Sequence, residues 1–192
     1  MPRTAEQNKI IRESTQAVII DSAMILFAQN CYAHTTTRKI AQQAGISTGL
    51  MYHYFASKES LLQAVFENCM GILSQAFLEV FTRHQPPKRL AVLVGQMFTM
   101  LEKDQDFWAL FYMLRSQPAI MEILGDSFRQ WTGQLRDLFV ADLKAMGRAE
   151  PEMEAFILYS LIEGTLQQYL LDPATYPLDQ VLARIKEQFV NP

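Results

Sequence analysis

Cysteine is scarce in this chain: Cys31 and Cys69 are the only two among 192 residues. That excludes a disulfide framework and points to a reducing compartment, the cytoplasm. Histidine is equally sparse. His34, His53 and His84 stand far apart, without the paired spacing of a metal-ligand set, so no metal and no cofactor is expected. With only eight glycines and eight prolines, long stretches run unbroken, and no window alternates apolar and polar residues long enough to specify a sheet. No uninterrupted apolar run reaches the length of a membrane span. The opening MPRTAEQNKIIRES has no apolar core after its charges, so a secretory leader is not expected either. A nucleophile elbow and a phosphate-binding loop are both missing; no catalytic residue is assigned, and the chain reads as a non-enzyme.

What is present suits an all-α fold. Hydrophobic residues make up 49% of the chain and charged residues 19%, and the apolar positions recur at helical spacing. The formal net charge of −3 argues against binding nucleic acid by bulk charge, but the charge is unevenly distributed. Residues 1–60 carry six Lys and Arg against four Asp and Glu, whereas residues 61–192 carry eleven against sixteen. A weakly positive head on an acidic body is expected to hold DNA through a few placed contacts, with moderate salt dependence.

One stretch is more constrained than generic core: TTTRKIAQQAGISTGLMYHYFASK, from Thr35 to Lys58. Thr36 and Thr37 offer oxygens at a helix start, and good helix formers follow to Ala44. Gly45 supplies the positive φ that ends a helix, Ile46 returns an apolar plug, and Ser47 caps a second helix through Phe55. Two helices joined so tightly cross steeply, with Ile40, Ile46 and either Leu50 or Met51 filling the wedge between them. The outward face then holds Thr37, Arg38, Thr48, Gly49, Tyr52, His53, Tyr54 and Lys58: donors, slender residues and planar rings, with no carboxylate among them. Such a face suits a phosphate backbone. Thr48 and Gly49 sit at the end of a recognition helix that meets base edges in a major groove. Ser57 caps a further helix and places Lys58 beside its free amides, where a phosphate fits.

Over roughly residues 16–66 the chain resembles the DNA-binding segment of the TetR family of bacterial transcriptional regulators. The resemblance is carried by Phe27, Thr36, Ile40-Ala41, Ala44-Gly45-Ile46-Ser47, Gly49, Tyr52, Phe55, Lys58 and Leu61. It is especially close over Thr36-Thr37-Arg38-Lys39, which implies that Thr37 and Arg38 also touch DNA. Two positions depart from the family pattern. Cys31 stands where the family usually has glycine, so the turn before the first motif helix is expected to be reshaped or strained. Tyr54 replaces the usual histidine before Phe55, so His53 or the Tyr54 hydroxyl takes the phosphate.

The remaining periodicity gives the architecture. The expectation is an N-terminal three-helix head with a helix-turn-helix, residues 1–60, and a C-terminal helical bundle, residues 61–192. Residues 1–14 read as a solvated arm in which Arg3, Lys9 and Arg12 approach phosphate, and a helix follows from Thr15 to Asn30. A long helix then runs from Ser57 to Arg83, stopped by Pro86 and Pro87. Further helices span Leu90–Glu102, Phe107–Arg115, a short turn at 119–124, Ser127–Met146, Glu152–Leu171 and Leu178–Val190. About nine helices result, the number the resemblance implies.

The body offers two faces. Phe156, Ser160, Gly164, Val181, Ile185 and Phe189 on the last two helices form a surface that can close on a twofold mate, and the resemblance implies a four-helix dimer interface there. A homodimer sets two recognition helices about 34–36 Å apart, one turn of DNA. The second face is Met97, Met100, Trp108, Phe111, Tyr112, Arg115, Tyr159, Glu163 and Gln167. Apolar helices with a few polar tips suit a ligand site or plain core; the resemblance implies a small-molecule effector in this body. The reading is therefore a ligand-responsive regulator of a double-stranded DNA operator, with no membrane partner. The competing reading is a helical ligand-binding or interaction protein whose DNA-binding head has decayed.

Overall fold

The computed structural model describes residues 4–86 and 88–190; the expectations for Arg3 and Pro87 lie outside the described residues. Nine helices, and no strand, are present among the described residues: α1 Ala5–Asn30, α2 Thr37–Gln43, α3 Thr48–Tyr54, α4 Lys58–Arg83, α5 Lys88–Lys103, α6 Gln105–Arg115, α7 Pro118–Ala145, α8 Pro151–Leu171 and α9 Leu178–Phe189. The all-α expectation holds, with two corrections. Helix α1 begins ten residues before Thr15, because Thr4 and Gln7 form a reciprocal capping box: Thr4 Oγ1 accepts from the Gln7 N–H at 3.2 Å, and Gln7 Oε1 accepts from the Thr4 N–H at 3.0 Å. Helix α7 is continuous through Gly125 rather than broken after 124. An interior glycine costs a helix only about 1 kcal/mol, and Leu124 and Phe128 on either side are buried.

The chain divides into two compact units. The first comprises Met1–Gly71 with Leu110–Gly125, the second Ile72–Ala109 with Asp126–Pro192. In the first unit, Ile19, Ala23 and Phe27 of α1, Ile40 of α2, Met51 of α3 and Leu61, Leu62 and Val65 of α4 are buried together with Phe55. In the second, Leu90, Leu93, Val94 and Phe98 of α5, Phe139 and Leu143 of α7, Leu158, Ile162 and Leu166 of α8 and Ile185 and Phe189 of α9 are buried. Helix α9 packs against α8 and α5. By length and composition alone α4 is apolar enough to cross a membrane, although polar residues interrupt its apolar ones. Its buried stripe, from Leu61 to Val80, is used inside the protein.

Candidate nucleic-acid interface

The α2–α3 pair is built by local chemistry. Thr36 accepts from the Lys39 N–H at 3.2 Å and starts α2. Gly45 ends it at φ +68°, where the Gly45 N–H donates to Gln42 O at 3.2 Å and the Ile46 N–H to Ala41 O at 3.0 Å. This is the Schellman pattern that needs a left-handed residue after the helix. Ser47 then caps α3 by accepting from the Leu50 N–H at 3.1 Å. Of the two residues proposed for the wedge, Met51 is buried and Leu50 is 39% exposed.

On the outer side, Arg38, Gly49, Tyr52 and His53 are exposed, and Thr37, Thr48, Tyr54 and Lys58 half-buried. The Thr37 hydroxyl and the Tyr52 phenol lie 3.1 Å apart, tying α2 to α3 across this face. A Cβ built on Gly49 meets nothing within 4 Å, so the space beyond it is open. No Asp or Glu occurs between Asp21 and Glu59, and the face therefore presents donors without a competing carboxylate.

Lys58 is held more tightly than its sequence position suggested. Its ammonium donates to Tyr32 O at 3.0 Å and Thr35 O at 3.2 Å and sits 4.2 Å from the centre of the Tyr32 ring. Ser57 caps α4 as expected, accepting from the Ser60 N–H at 3.0 Å. The Tyr32 hydroxyl donates to Glu59 Oε1 at 3.2 Å. Burial and then the Glu59 charge push the Tyr32 phenol up to about 12, so it remains a donor at neutral pH. Glu59 is held below its usual range, first by its own backbone N–H and then by the Ser57 hydroxyl.

These groups secure the turn that α1 makes at Cys31, where φ is +60° and ψ 144°. The region is reached almost only by glycine, so the cysteine at this position is strained. A residue the sequence reading did not single out braces it. The Gln117 side chain accepts from the Tyr32 N–H at 2.7 Å and donates to Phe27 O at 2.8 Å, one bond on each side of the turn. Nothing local marks Gln117, because both partners are some ninety positions away in sequence.

Two family models match the chain, one over the helix-turn-helix and one over the C-terminal body. Residues 19–65 match the bacterial regulatory proteins of the tetR family, and residues 85–190 match the tetracyclin repressor-like C-terminal domain. The chain belongs to the TetR family of transcriptional regulators. It is 34% identical over 154 residues to the fatty acid metabolism regulator protein of Bacillus subtilis, covering 78% of each chain. It is 39% identical over 157 residues to the HTH-type transcriptional regulator BetI of Paraburkholderia xenovorans, covering 80% of each. Both TetR-family relatives are regulators by name, not enzymes. The fold is shared with the transcriptional regulator FadR of Bacillus subtilis, crystallised with stearoyl-CoA, at a TM-score of 0.71 and 22% identity, over 91% of this chain and 97% of that one.

The other expected site residues are placed as follows. On α8, Phe156 is 50% exposed and Ser160 and Gly164 are exposed, with Met153, Ile157 and Leu161 adding apolar surface. On α9, Val181 is half-buried, whereas Ile185 and Phe189 are buried in the chain's own core. Of the expected ligand set, Met97, Trp108 and Phe111 are buried, Met100, Tyr112, Arg115, Tyr159 and Glu163 half-buried, and Gln167 exposed. The Arg115 guanidinium lies 4.9 Å from the centre of the Tyr112 ring. Among the described residues, no group of three His, Cys, Asp or Glu side chains is placed to hold a metal ion.

Proposed function

We propose that this TetR-family chain is a cytoplasmic, homodimeric repressor that reads a palindromic operator in double-stranded DNA and is released by a small, mainly apolar or aromatic effector. The head, residues 1–60, meets DNA; residues 61–192 hold the effector and the second copy. The observation that carries the reading is the exposed α2–α3 face, free of carboxylates and open in front of Gly49.

In this reading Arg38 makes the bidentate guanine contact, and Thr48 and Gly49 bring the start of α3 against base edges. Thr37, Tyr52, His53 and Tyr54 hold the phosphates. Lys58 gives two of its three N–H donors to carbonyl oxygens and the third to phosphate. The exposed α8 surface around Phe156, Ser160 and Gly164, with Val181 beside it, receives the partner, while Ile185 and Phe189 support α9 from within. The stearoyl-CoA complex of a protein of this fold supports an apolar effector, and we assign Met97, Met100, Trp108, Phe111, Tyr112, Arg115, Tyr159, Glu163 and Gln167 to its surroundings.

The test is selection of bound duplexes from random DNA, with Arg38→Ala run in parallel. The expected result is an inverted repeat with half-site centres one helical turn, or a multiple of it, apart. Arg38→Ala loses about 1–3 kcal/mol and tolerance spreads at one base position of each half-site. Recovery of no common sequence contradicts the reading.

A further inference from the structure

Gln117 lies far outside residues 1–60, the part assigned above to DNA, yet Leu110–Gly125 belongs to the same compact unit as Met1–Gly71. It stands at the corner between α6 and α7, and its main chain is fixed on both sides. Its N–H donates to Leu114 O at 3.1 Å, and its carbonyl accepts from the Ile120 and Met121 N–H groups at 3.1 and 3.0 Å. From this rigid corner the half-buried side chain makes three bonds. Oε1 accepts from the Tyr32 N–H at 2.7 Å, and Nε2 donates to Phe27 O at 2.8 Å and to Met113 O at 3.3 Å. The Tyr32 N–H needs an acceptor and Phe27 O a donor, so only one orientation of the amide serves both.

The amide holds the segment that leads into the DNA face. Cys31, at φ +60° and ψ 144°, relaxes towards negative φ unless its neighbours prevent it, and Gln117 grips the backbone on both sides of it. Tyr32 passes the constraint on. Its N–H is bound by Gln117 and its carbonyl by Lys58 Nζ at 3.0 Å, and the same ammonium donates to Thr35 O at 3.2 Å. Thr35 is buried, its hydroxyl donating to Cys31 O at 2.9 Å and Leu26 O at 3.0 Å, and Thr36, the cap of α2, follows directly. A turn that relaxes at Cys31 therefore displaces both carbonyls that aim Lys58 and shifts the start of α2, which carries Thr37 and Arg38. The Tyr32 hydroxyl bond to Glu59 fixes the phenol and leaves the φ of Cys31 unconstrained.

We propose that Gln117 is a positioning residue for DNA binding: its amide braces the strained turn at Cys31, and through Tyr32 it aims the Lys58 ammonium at phosphate and sets the start of α2. The DNA-binding part of the chain then extends to the α6–α7 corner. The DNA clause rests on the function proposed above; the brace does not.

The test uses the full-length protein. Gln117→Met keeps a side chain of similar length and volume and removes both bonds to the turn. Without DNA, hydrogen exchange at the Tyr32 amide is expected to quicken about tenfold or more in this variant. On the selected duplex, measured well below the thermal midpoint, Gln117→Met is expected to bind about tenfold more weakly. The slope of log K against log salt is expected to fall by about one per bound chain, as in Lys58→Ala, and the double variant Gln117→Met, Lys58→Ala to lose no further slope. Cys31→Gly adopts the turn without strain, so adding it to Gln117→Met is expected to return most of the lost affinity and slope. A residue that only stabilises the fold would lower the thermal midpoint and leave the salt slope of the folded protein unchanged.

Unchanged exchange at Tyr32 in Gln117→Met overturns the brace. An unchanged salt slope, or a Gln117→Met, Cys31→Gly variant as weak as Gln117→Met alone, overturns the positioning role. Selection that recovers no duplex with the unaltered chain contradicts the repressor and the DNA clause with it, while the Tyr32 exchange still decides the brace.

Discussion

The Thr37 hydroxyl of α2 and the Tyr52 phenol of α3 lie 3.1 Å apart on the exposed side of the helix pair. Tyr52 is 50% exposed, so this bond adds little to folding; its consequence is that the ring is held at a fixed angle over the face. Tyr52→Phe removes the bond and keeps the ring. Operator affinity is expected to fall by about 0.5–1.5 kcal/mol, read by fluorescence anisotropy, with no change in thermal midpoint. A lowered midpoint at unchanged affinity would make the pair a structural strut instead.

Cys31 occupies a conformation that favours glycine, at φ +60°. Cys31→Gly relieves the strain but adds freedom to the unfolded chain. Strain is the larger effect, so the variant is expected to be more stable by about 1 kcal/mol in urea unfolding. A variant of lower stability would show that Gln117, Lys58 and Tyr32 impose the turn on any residue without cost.

The Arg89–Asp142 pair is a buried ion pair of the second unit, with Arg89 16% exposed and Asp142 fully buried. Hydrogen bonding to Asp142 is the main reason that Arg89's proton is held above its usual range. Asp142→Ala leaves a cation over Phe81 without its partner and is expected to cost about 3 kcal/mol. The double variant Arg89→Met, Asp142→Leu is expected to recover most of that loss. A double variant as unstable as the single one would mean that the pair contributes more than it costs to bury.

Alkaline pH acts through two groups of the first unit. Burial pushes the Cys69 thiol up to about 12, and burial with the Glu59 charge does the same for Tyr32. In the unfolded chain these groups lose their protons near the usual values of about 8.5 and about 10. From roughly pH 8.5 upward the unfolded state therefore binds fewer protons than the folded one, and stability falls as pH rises towards 12. Cys69→Val is expected to flatten the fall between about pH 8.5 and 10, measured as thermal midpoint against pH, and to leave only the Tyr32 contribution, a shallower fall, from there to about 12.

The motif was legible in sequence because its determinants are local: Thr36, Gly45 and Ser47 act within four residues of themselves. The strain at Cys31 was legible only through the family resemblance, which puts glycine at this position. Helix α1 was read too short because a Thr-x-x-Gln box in a polar segment looks like an arm when the apolar stripe of Ile19, Ala23 and Phe27 begins only well beyond it. Helix α7 was read as broken because Gly125 alone does not tell whether buried neighbours hold a helix together. Lys58, Gln117 and the Arg89–Asp142 pair depend on partners 23 to 90 positions away, and no local pattern encodes those. Ile185 and Phe189 share the spacing of Val181, yet the face of α9 that turns inward is decided by α5 and α8.

Gly49 offers the most direct test that the α2–α3 face is the DNA-reading surface. A Cβ there meets no protein atom within 4 Å, and a carboxylate in the first turn of a helix favours the folded state. Gly49→Glu should therefore leave the protein's thermal midpoint unchanged or slightly raised while operator binding, measured by anisotropy on the selected duplex, falls by about a hundredfold or more. A Gly49→Glu variant that binds that duplex as tightly as the unaltered chain would contradict the assignment of this face to DNA.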